Sequence, residues 1–434
     1  MLRPVPSLES IELTEFTGLD LIEPIRRAVA QAGYTHATPI QAQAIPTLLT
    51  GRDLVGIAQT GTGKTAAFVL PILQMIAGLK GGPKPKTCRA LIVAPTRELA
   101  AQIVENARTY SRHMHVSVTM VVGGVRPGPQ IKALAKGVDV LVATPGRLLD
   151  HMSAGAVSLG ETRTVVLDEA DQMMDLGFLP AIRKIMRAMP AQRQTLLFSA
   201  TMPKEIRALA ADFLTDPAEV TVARIGKPVE AIAQKVIHVP GPEKRGLLLD
   251  LMSDVEVERA IVFVRTKRGA DRIAELLTKN AFSADSLHGN KSQGQRDRAL
   301  RGFKNGKVKI LVATDIAARG IDVDDVSHVI NFDLPNIPDA YVHRIGRTAR
   351  AGKDGIAISL CERGETGYLY DIEKLIKMSI PAEGDIPEGP PSRTAGKRQN
   401  QRPRAPALAA NNNRRPSGAP GGAKPRRRKP RKAA

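Results

Sequence analysis

Two series of short apolar runs constrain the architecture of this chain more than any other feature. The first comprises ALIVAPT (90–96), DVLVATPG (139–146), TVVLDEAD (164–171) and QTLLFSAT (194–201). The second comprises AIVFVRT (260–266), KILVATD (309–315), HVINFDLP (328–335) and GIAISLC (355–361). Each run is rich in Val, Ile and Leu, and a polar or Gly-containing turn and a helical pattern follow it. Consecutive apolar positions suit strands covered on both faces, as in a parallel sheet. Alternation with helices implies βαβ units joined by right-handed crossovers. The tetrapeptide LVAT occurs late in each series, at 141–144 and 311–314. The expected fold is α/β, with two related domains in tandem, each a mostly parallel sheet covered by helices. The weakly patterned stretch ARIGKPVEAIAQ predicts a boundary. Domain one is expected over 1–222, a linker over 223–235 and domain two over 236–380.

Composition narrows the classes of function. The 434 residues are enough for two or three domains at roughly 100–200 residues each. No uncharged apolar stretch of about 18 residues suggests a membrane span. MLRPVPSLESIELTEF lacks the apolar core of a secretory leader. The two cysteines, Cys88 and Cys361, lie far apart, which excludes a disulfide framework and a cysteine-based zinc site. A reducing, cytoplasmic setting is expected. The formal charge is +20, and fourteen Lys and Arg fall between Pro391 and Ala434 with no Asp or Glu among them. The body keeps a charge of only +6. Residues 381–434 cannot bury enough apolar surface to offset their ordering entropy, so a disordered basic tail is expected. Such a tail suits a polyanion, nucleic acid above all, although charge that merely keeps a tail in solution is the plainer alternative.

AQTGTGKT (58–65) stands between a plausible strand, DLVGIA (53–58), and a plausible helix, TAAFVLPILQMI (65–76). A glycine-rich turn there aims backbone N–H groups at phosphate oxygens, and the helix N-terminus adds partial positive charge. In this arrangement Lys64 reaches the β- and γ-phosphates and Thr65 holds Mg2+. Ala58 stands where the common phosphate-loop pattern has Gly. About a hundred residues on, VVLDEAD runs from an apolar strand into two acids. Asp168 suits Mg2+ from a second side, and Glu169 suits the attacking water. An acidic helix start is the competing reading of the same residues. In HRIGRTAR (343–350), Arg344, Arg347 and Arg350 recur at spacings of three, which on a helix shares one face. Guanidinium groups there can neutralise charge on a transferring phosphoryl group, or can simply be a solvated basic face. The second domain has no GK[ST] of its own, so its natural part is to complete the first domain's site.

Ten segments in order resemble the DEAD-box RNA helicases: GYTHATPIQ (33–41), AQTGTGKT (58–65), PTRELA (95–100), GG (123–124), TPGR (144–147), DEAD (168–171), SAT (199–201), QGQR (293–296), ATDIAARGID (313–322) and HRIGRTAR (343–350). The resemblance spans roughly 14–375 and implies two RecA-like domains, ATP and Mg2+ as cofactors, and RNA, single-stranded or duplex, as partner. It implies that Gln41 reads adenine, with Tyr34 and Phe16 packing at the base. The cradle then spans Ala58, Gln59, Thr60, Gly61, Thr62, Gly63, Lys64 and Thr65, with Asp322 near the ribose. Asp171, Ser199, Thr201 and His343 would couple the site to domain closure, with Arg347 and Arg350 as arginine fingers. RNA contacts would fall on Pro95, Thr96, Arg97, Gly124, Thr144, Gly146 and Arg147, and on Arg265, Gly289, Gln293, Arg296, Thr314 and Gly320. Ala37 and Ala349 depart from residues frequent in the family, and neither removes a catalytic group. HGNKSQGQR (288–296) and the basic extension are similar to bacterial RhlE-type helicases. A monomer is expected, with ribosome-assembly or RNA-degradation proteins as further partners.

An ATP-dependent RNA helicase is the reading this combination favours. An ATP-gated RNA clamp or annealing factor would carry the same motifs, and the basic tail leans toward it. A DNA helicase or translocase is a third reading, which equal stimulation by DNA and RNA would favour. The tail gives a first test. Truncation before Pro391 is expected to flatten the dependence of RNA affinity on salt, because fourteen charges are lost. Binding titrations from low to high salt read the slope, and an unchanged slope contradicts the expectation.

Overall fold

The computed structural model describes residues 14–58, 61–222, 232–254, 256–318, 326–349 and 355–384. Most of the expected linker and nearly all of the expected tail lie outside these residues. Among the described residues, strands form two seven-stranded sheets. The first lobe contributes β1 Leu54–Ile57, β2 Cys88–Val93, β3 Val118–Val121, β4 Val138–Ala143, β5 Thr164–Leu167, β6 Gln194–Ser199 and β7 Ala218–Thr221. The second contributes β8 Ile232–His238, β9 Ala260–Phe263, β10 Ala284–Leu287, β11 Ile310–Ala313, β12 His328–Asn331, β13 Gly355–Cys361 and β14 Ala382–Glu383. The strand orders are β3-β4-β2-β5-β6-β1-β7 and β10-β11-β9-β12-β13-β8-β14. They coincide position for position, so β1 corresponds to β8, β2 to β9 and β4 to β11. The two LVAT copies therefore sit on equivalent strands. Every pairing between the named strands is parallel.

Burial explains why the central runs carry consecutive apolar residues. On β2, Ala90 and Ile92 enter one core while Leu91 and Val93 enter another on the opposite face. On β9, Ala260 and Val262 divide from Ile261 and Phe263 in the same way. The apolar-run criterion finds these strands and passes over β3, β7, β10 and β14, which are the sheet edges. It also passes over β8, where buried and exposed positions alternate at the start and Gln234 is buried because it accepts the Tyr341 hydroxyl at 2.8 Å. β8 begins at Ile232, so residues 232–235 are strand and not linker. Similarly, Ala382 and Glu383 pair with β8 and so belong to the second sheet, not to a tail.

The helix Lys64–Ala77 packs its buried face on the first sheet, with Phe68 meeting Phe198 of β6 at 5.4 Å between ring centroids. β1 lies between β6 and β7 and aims its C-terminal end at that helix. Gly56 on β1 makes room for Phe198, since a Cβ there would come within 2.5 Å of the ring. Gly56→Ala is expected to destabilise the first lobe by about 1–3 kcal/mol, the usual cost of overpacking. Thermal denaturation checks this, and an unshifted midpoint would show that the ring relocates freely.

Candidate functional site

The loop after β1 turns through two glycines in the left-handed region, Gly61 at φ 87° and Gly63 at φ 92°. At Gly63 a Cβ would stand 2.4 Å from Gln41 Nε2, so only glycine permits the close approach. Gln41 is buried and uses both ends of its amide. Its Oε1 accepts the Thr38 N–H at 2.9 Å, and its Nε2 donates to the Gly63 carbonyl at 3.1 Å. Ala58 is buried against β6, donating its N–H to the Ser199 carbonyl. Lys64 opens the following helix and is only 6 % exposed. Its Nζ makes no hydrogen bond with a described residue and lies 3.9 Å from Asp168 Oδ1. A buried ammonium beside a left-handed glycine turn and a helix N-terminus fits a polyphosphate.

Asp168 follows β5 directly and is almost fully buried. Burial pushes its carboxyl up to about 6, Lys64 opposes that rise, and Glu169 adds to it. Glu169 holds φ 50°, ψ 55°, a left-handed conformation that costs a non-glycine residue roughly 1–2 kcal/mol. Strain of this kind concentrates at working sites. Two residues on, Asp171 ties the turn to the loop after β6. Its Oδ2 accepts the N–H of Ala200 (3.1 Å), the N–H of Thr201 (2.9 Å) and the Thr201 hydroxyl (3.0 Å). Its own N–H donates to Ser199 Oγ.

One cleft brings Lys64, Glu169, Asp171 and Thr201 of the first lobe against His343 and Arg347 of the second. Arg347 is buried and donates Nε to the His343 carbonyl. Arg344 does not join it. Its guanidinium binds both oxygens of Asp315, the Asn331 side chain and the Asp333 carbonyl, and lies 5.0 Å from the Phe263 ring centre. The helix Pro338–Ile345 ends before Arg347, so the expected common helical face is not formed. Arg344 shapes the second lobe internally and leaves the cleft to Arg347.

A second cleft runs from Tyr34, Thr38 and Gln41 past Gly61, Gly63, Lys64 and Thr65 to Asp168 and Glu169. Tyr34 is 46 % exposed and meets Tyr110 edge-on at 6.2 Å. Tyr110 lines the same cleft, a position the sequence does not flag because it reads as one more core residue of the helix Arg97–Tyr110. Phe16 differs from expectation. It is 5 % exposed within the first core, so its ring offers little surface to a base. Thr62 lies between the two glycines of the turn. Gln59, Thr60, Gly320, Asp322 and Arg350 lie outside the described residues. Among the described residues there is no cluster of three or more His, Cys, Asp or Glu for a metal, and no helix is long and apolar enough to cross a membrane.

The residues expected at RNA gather where strands end. Pro95, Thr96 and Arg97 follow β2, Gly124 follows β3, and Thr144, Gly146 and Arg147 follow β4. Arg265, Gly289 and Thr314 follow β9, β10 and β11. These are adjacent strands in both sheets, so each set shares one sheet edge. Gly124, at φ 70°, makes way for Arg97, whose Nη1 would lie 1.9 Å from a Cβ there. Arg147 donates to the Val125 carbonyl. The two sets meet across the lobes. Arg97 Nη1 donates to Gln293 Oε1 at 3.0 Å, and Arg296 Nη2 pairs with Glu98 Oε2 at 3.0 Å. Arg296 is thus engaged by a buried carboxylate and does not stand free at the surface. Glu98 is the unanticipated member, since PTRELA by itself gives it only an acidic first helical turn.

Residues 38–209 match the DEAD/DEAH box helicase family and residues 243–352 the helicase conserved C-terminal domain. The DEAD-box ATP-dependent RNA helicase CshA of Geobacillus kaustophilus is 45 % identical over 368 residues, 85 % of this chain and 78 % of that protein. S. cerevisiae Dbp5 bound to RNA and ADP BeF3 superposes with a TM-score of 0.76 at 30 % identity, covering 85 % of this chain and 95 % of that one. A DEAD box protein from Methanococcus jannaschii superposes with 0.51 at 37 % identity, covering 86 % and 100 %.

The raised Asp168 carboxyl has a stability consequence of definite sign. The folded chain holds this proton up to about pH 6, whereas an unfolded Asp releases it near its ordinary 3.8. The contribution is therefore complete below about pH 4 and lost as pH rises through about 6. The unfolding free energy of the unmodified chain minus that of Asp168→Asn is expected to fall across that window and level off above it. Denaturant titrations at several pH values check this, and parallel pH profiles would contradict it.

Proposed function

The chain belongs to the DEAD-box family of ATP-dependent RNA helicases, and from that membership we propose how its residues divide the work. The activity is RNA-stimulated ATP hydrolysis coupled to local unwinding or remodelling of RNA. One observation carries the proposed assignment: a buried lysine without a hydrogen bond and a strained acid turn on one lobe face an arginine on the other.

Lys64 and the N–H groups opening its helix bind the β- and γ-phosphates of ATP. Thr65 and Asp168 would hold Mg2+, which would supply neutralisation of phosphate charge. Glu169 orients the attacking water and receives its proton. Arg347, with Arg350, stabilises charge on the departing phosphoryl group. Gln41 and Tyr34 recognise the base, with Phe16 supporting them from the core and Asp322 serving the ribose. Since Gln41 also holds the Gly63 carbonyl, base binding and cradle shape are one element. Asp171, Ser199, Thr201 and His343 transmit the state of the phosphate to the lobes.

RNA binds along the two sheet edges, through Pro95, Thr96, Arg97, Gly124, Thr144, Gly146 and Arg147 and through Arg265, Gly289 and Thr314, with Gln293 and Gly320 as further contacts. Arg296 acts chiefly by tying the lobes through Glu98. Backbone amides, small residues and a few arginines contact phosphates without reading bases, so binding is independent of sequence. Dbp5 bound to RNA and ADP BeF3 superposes better than the more identical M. jannaschii protein, which supports a lobe pairing like that of the RNA-bound structure.

A cytoplasmic monomer that works with ribosome-assembly or RNA-degradation proteins fits this reading. RhlE-type membership, by contrast, finds no support, since the relatives at 42–45 % identity carry the name CshA. The test is steady-state ATPase with single-stranded RNA. Glu169→Gln is expected to lower RNA-stimulated kcat by about 10²–10⁴-fold with little change in the KM for ATP. Full retention of kcat would remove Glu169 from its role.

A further inference from the structure

The second lobe repeats the placement of the buried cradle lysine and pairs it from within. Lys64 is the first residue of the helix after β1, and Lys244 is the first residue of the helix after the equivalent strand β8. Both are buried. Lys64 Nζ finds no hydrogen-bond partner, while Lys244 Nζ donates to Glu365 Oε2 at 2.6 Å and to the Phe332 carbonyl at 2.9 Å. Phe332 follows β12 directly, as Asp168 follows the equivalent β5. Glu365 therefore supplies Lys244 with the hydrogen-bonded anion that Lys64 lacks among the described residues.

Glu365 is 1 % exposed, and four donors surround its carboxylate. Besides Lys244, these are the Leu334 N–H at 3.1 Å, the Glu362 N–H at 3.3 Å and Arg265 Nη2. A carboxylate so deeply buried needs such compensation. Arg265 is the member that reaches the surface. Its side chain is 41 % exposed, and its guanidinium lies 5.5 Å from the Tyr368 ring centre. Nη2 also donates to the Leu334 carbonyl, and the backbone N–H to Asp333 Oδ2. Nη2 is thus anchored from beneath, while no hydrogen bond joins Nε or Nη1 to a described residue. Arg265 stands beside Thr314 on the neighbouring strand end, on the edge assigned to RNA.

We propose that Glu365 is a positioning residue for RNA binding, an internal anion on Lys244 that fixes Arg265 with its outer donors turned to an RNA phosphate. The inference rests on the RNA role of Arg265 given above. A long arginine loses much rotamer freedom when it binds, and prior anchoring removes that cost before RNA arrives. A fixed planar fork also matches a phosphate better than a mobile one.

Four variants of the full chain test it by fluorescence anisotropy with single-stranded oligouridylate across a salt series. Arg265→Ala is expected to weaken binding about tenfold, as loss of a charge-assisted contact does. It should also lower the slope of log affinity against log salt by about 0.7, the value for one phosphate on a single strand. Glu365→Gln leaves Lys244 buried without its anion and can cost folding. Lys244→Met/Glu365→Gln removes both charges and keeps the comparison open. That pair is expected to lose affinity within about twofold of Arg265→Ala, with the same drop in slope. Adding Arg265→Ala to it should weaken binding no further, because anchor and anchored group act as one unit. A purely structural carboxylate would shift the melting temperature and leave the salt slope intact, and that outcome overturns the proposal. Additive losses overturn it too. If Arg265→Ala binds RNA like the unmodified chain, the RNA role of Arg265 falls and the positioning falls with it. If only the Glu365 variants bind normally, the positioning alone is wrong.

Discussion

Parallel pairing of the strands is the constraint on which the rest of the molecule depends. When every strand runs the same way, every C-terminal end reaches the same edge of its sheet. The loops that follow are then neighbours whatever their distance in sequence. Cradle, acid turn and the loop after β6 meet because β1, β6 and β5 are adjacent. The phosphate-contacting candidates meet because β2, β4 and β3 are adjacent, and likewise β9, β11 and β10. The proposed chemistry thus segregates within the first sheet, with the nucleotide residues toward β1 and the RNA residues toward β3.

Both sites hold charge away from water, and the two solve the cost differently. Lys64 and Asp168 stand 3.9 Å apart, too far for a hydrogen bond, and the burial that lifts the Asp168 carboxyl to about 6 shows the strain on that pair. Such a pair gains from a ligand that brings phosphate oxygens and counter-charge. Asp171 is the opposite case. Three donors satisfy one of its oxygens, so it forms a fixed joint between two loops. An unsatisfied pair beside a satisfied joint suits a site that must respond to its ligand and report the response.

Much of this was legible in the sequence, and the exceptions share a cause. Strands buried on both faces announce themselves by continuous apolar runs, as β2, β4, β5, β6, β9, β11, β12 and β13 do. The edge strands and β8 lack that burial and therefore lack the pattern. At the site, the spacing of three among Arg344, Arg347 and Arg350 suggested a shared face, but spacing is blind to where a helix stops. The Asp315 carboxylate that captures Arg344 lies 29 residues away in sequence, and only the fold brings it near. Glu98 and Glu365 carry no signal in the sequence for a similar reason. Each looks like an ordinary acid at a helix start, and its meaning comes from a distant arginine.

Lys244 and its carboxylate also set what the protein can sense. A ligand built into the chain is present at an effective concentration that no cellular nucleotide level can alter. Lys64 has only Asp168 at 3.9 Å and no hydrogen-bonded anion among the described residues, so in the proposed role its occupancy follows the supply of nucleotide by mass action. Two lobes of one architecture thereby differ in kind: one is a variable, the other a constant. A machine that must alternate between two states needs that asymmetry, because if both halves answered to the same signal neither could serve as the reference against which the other moves.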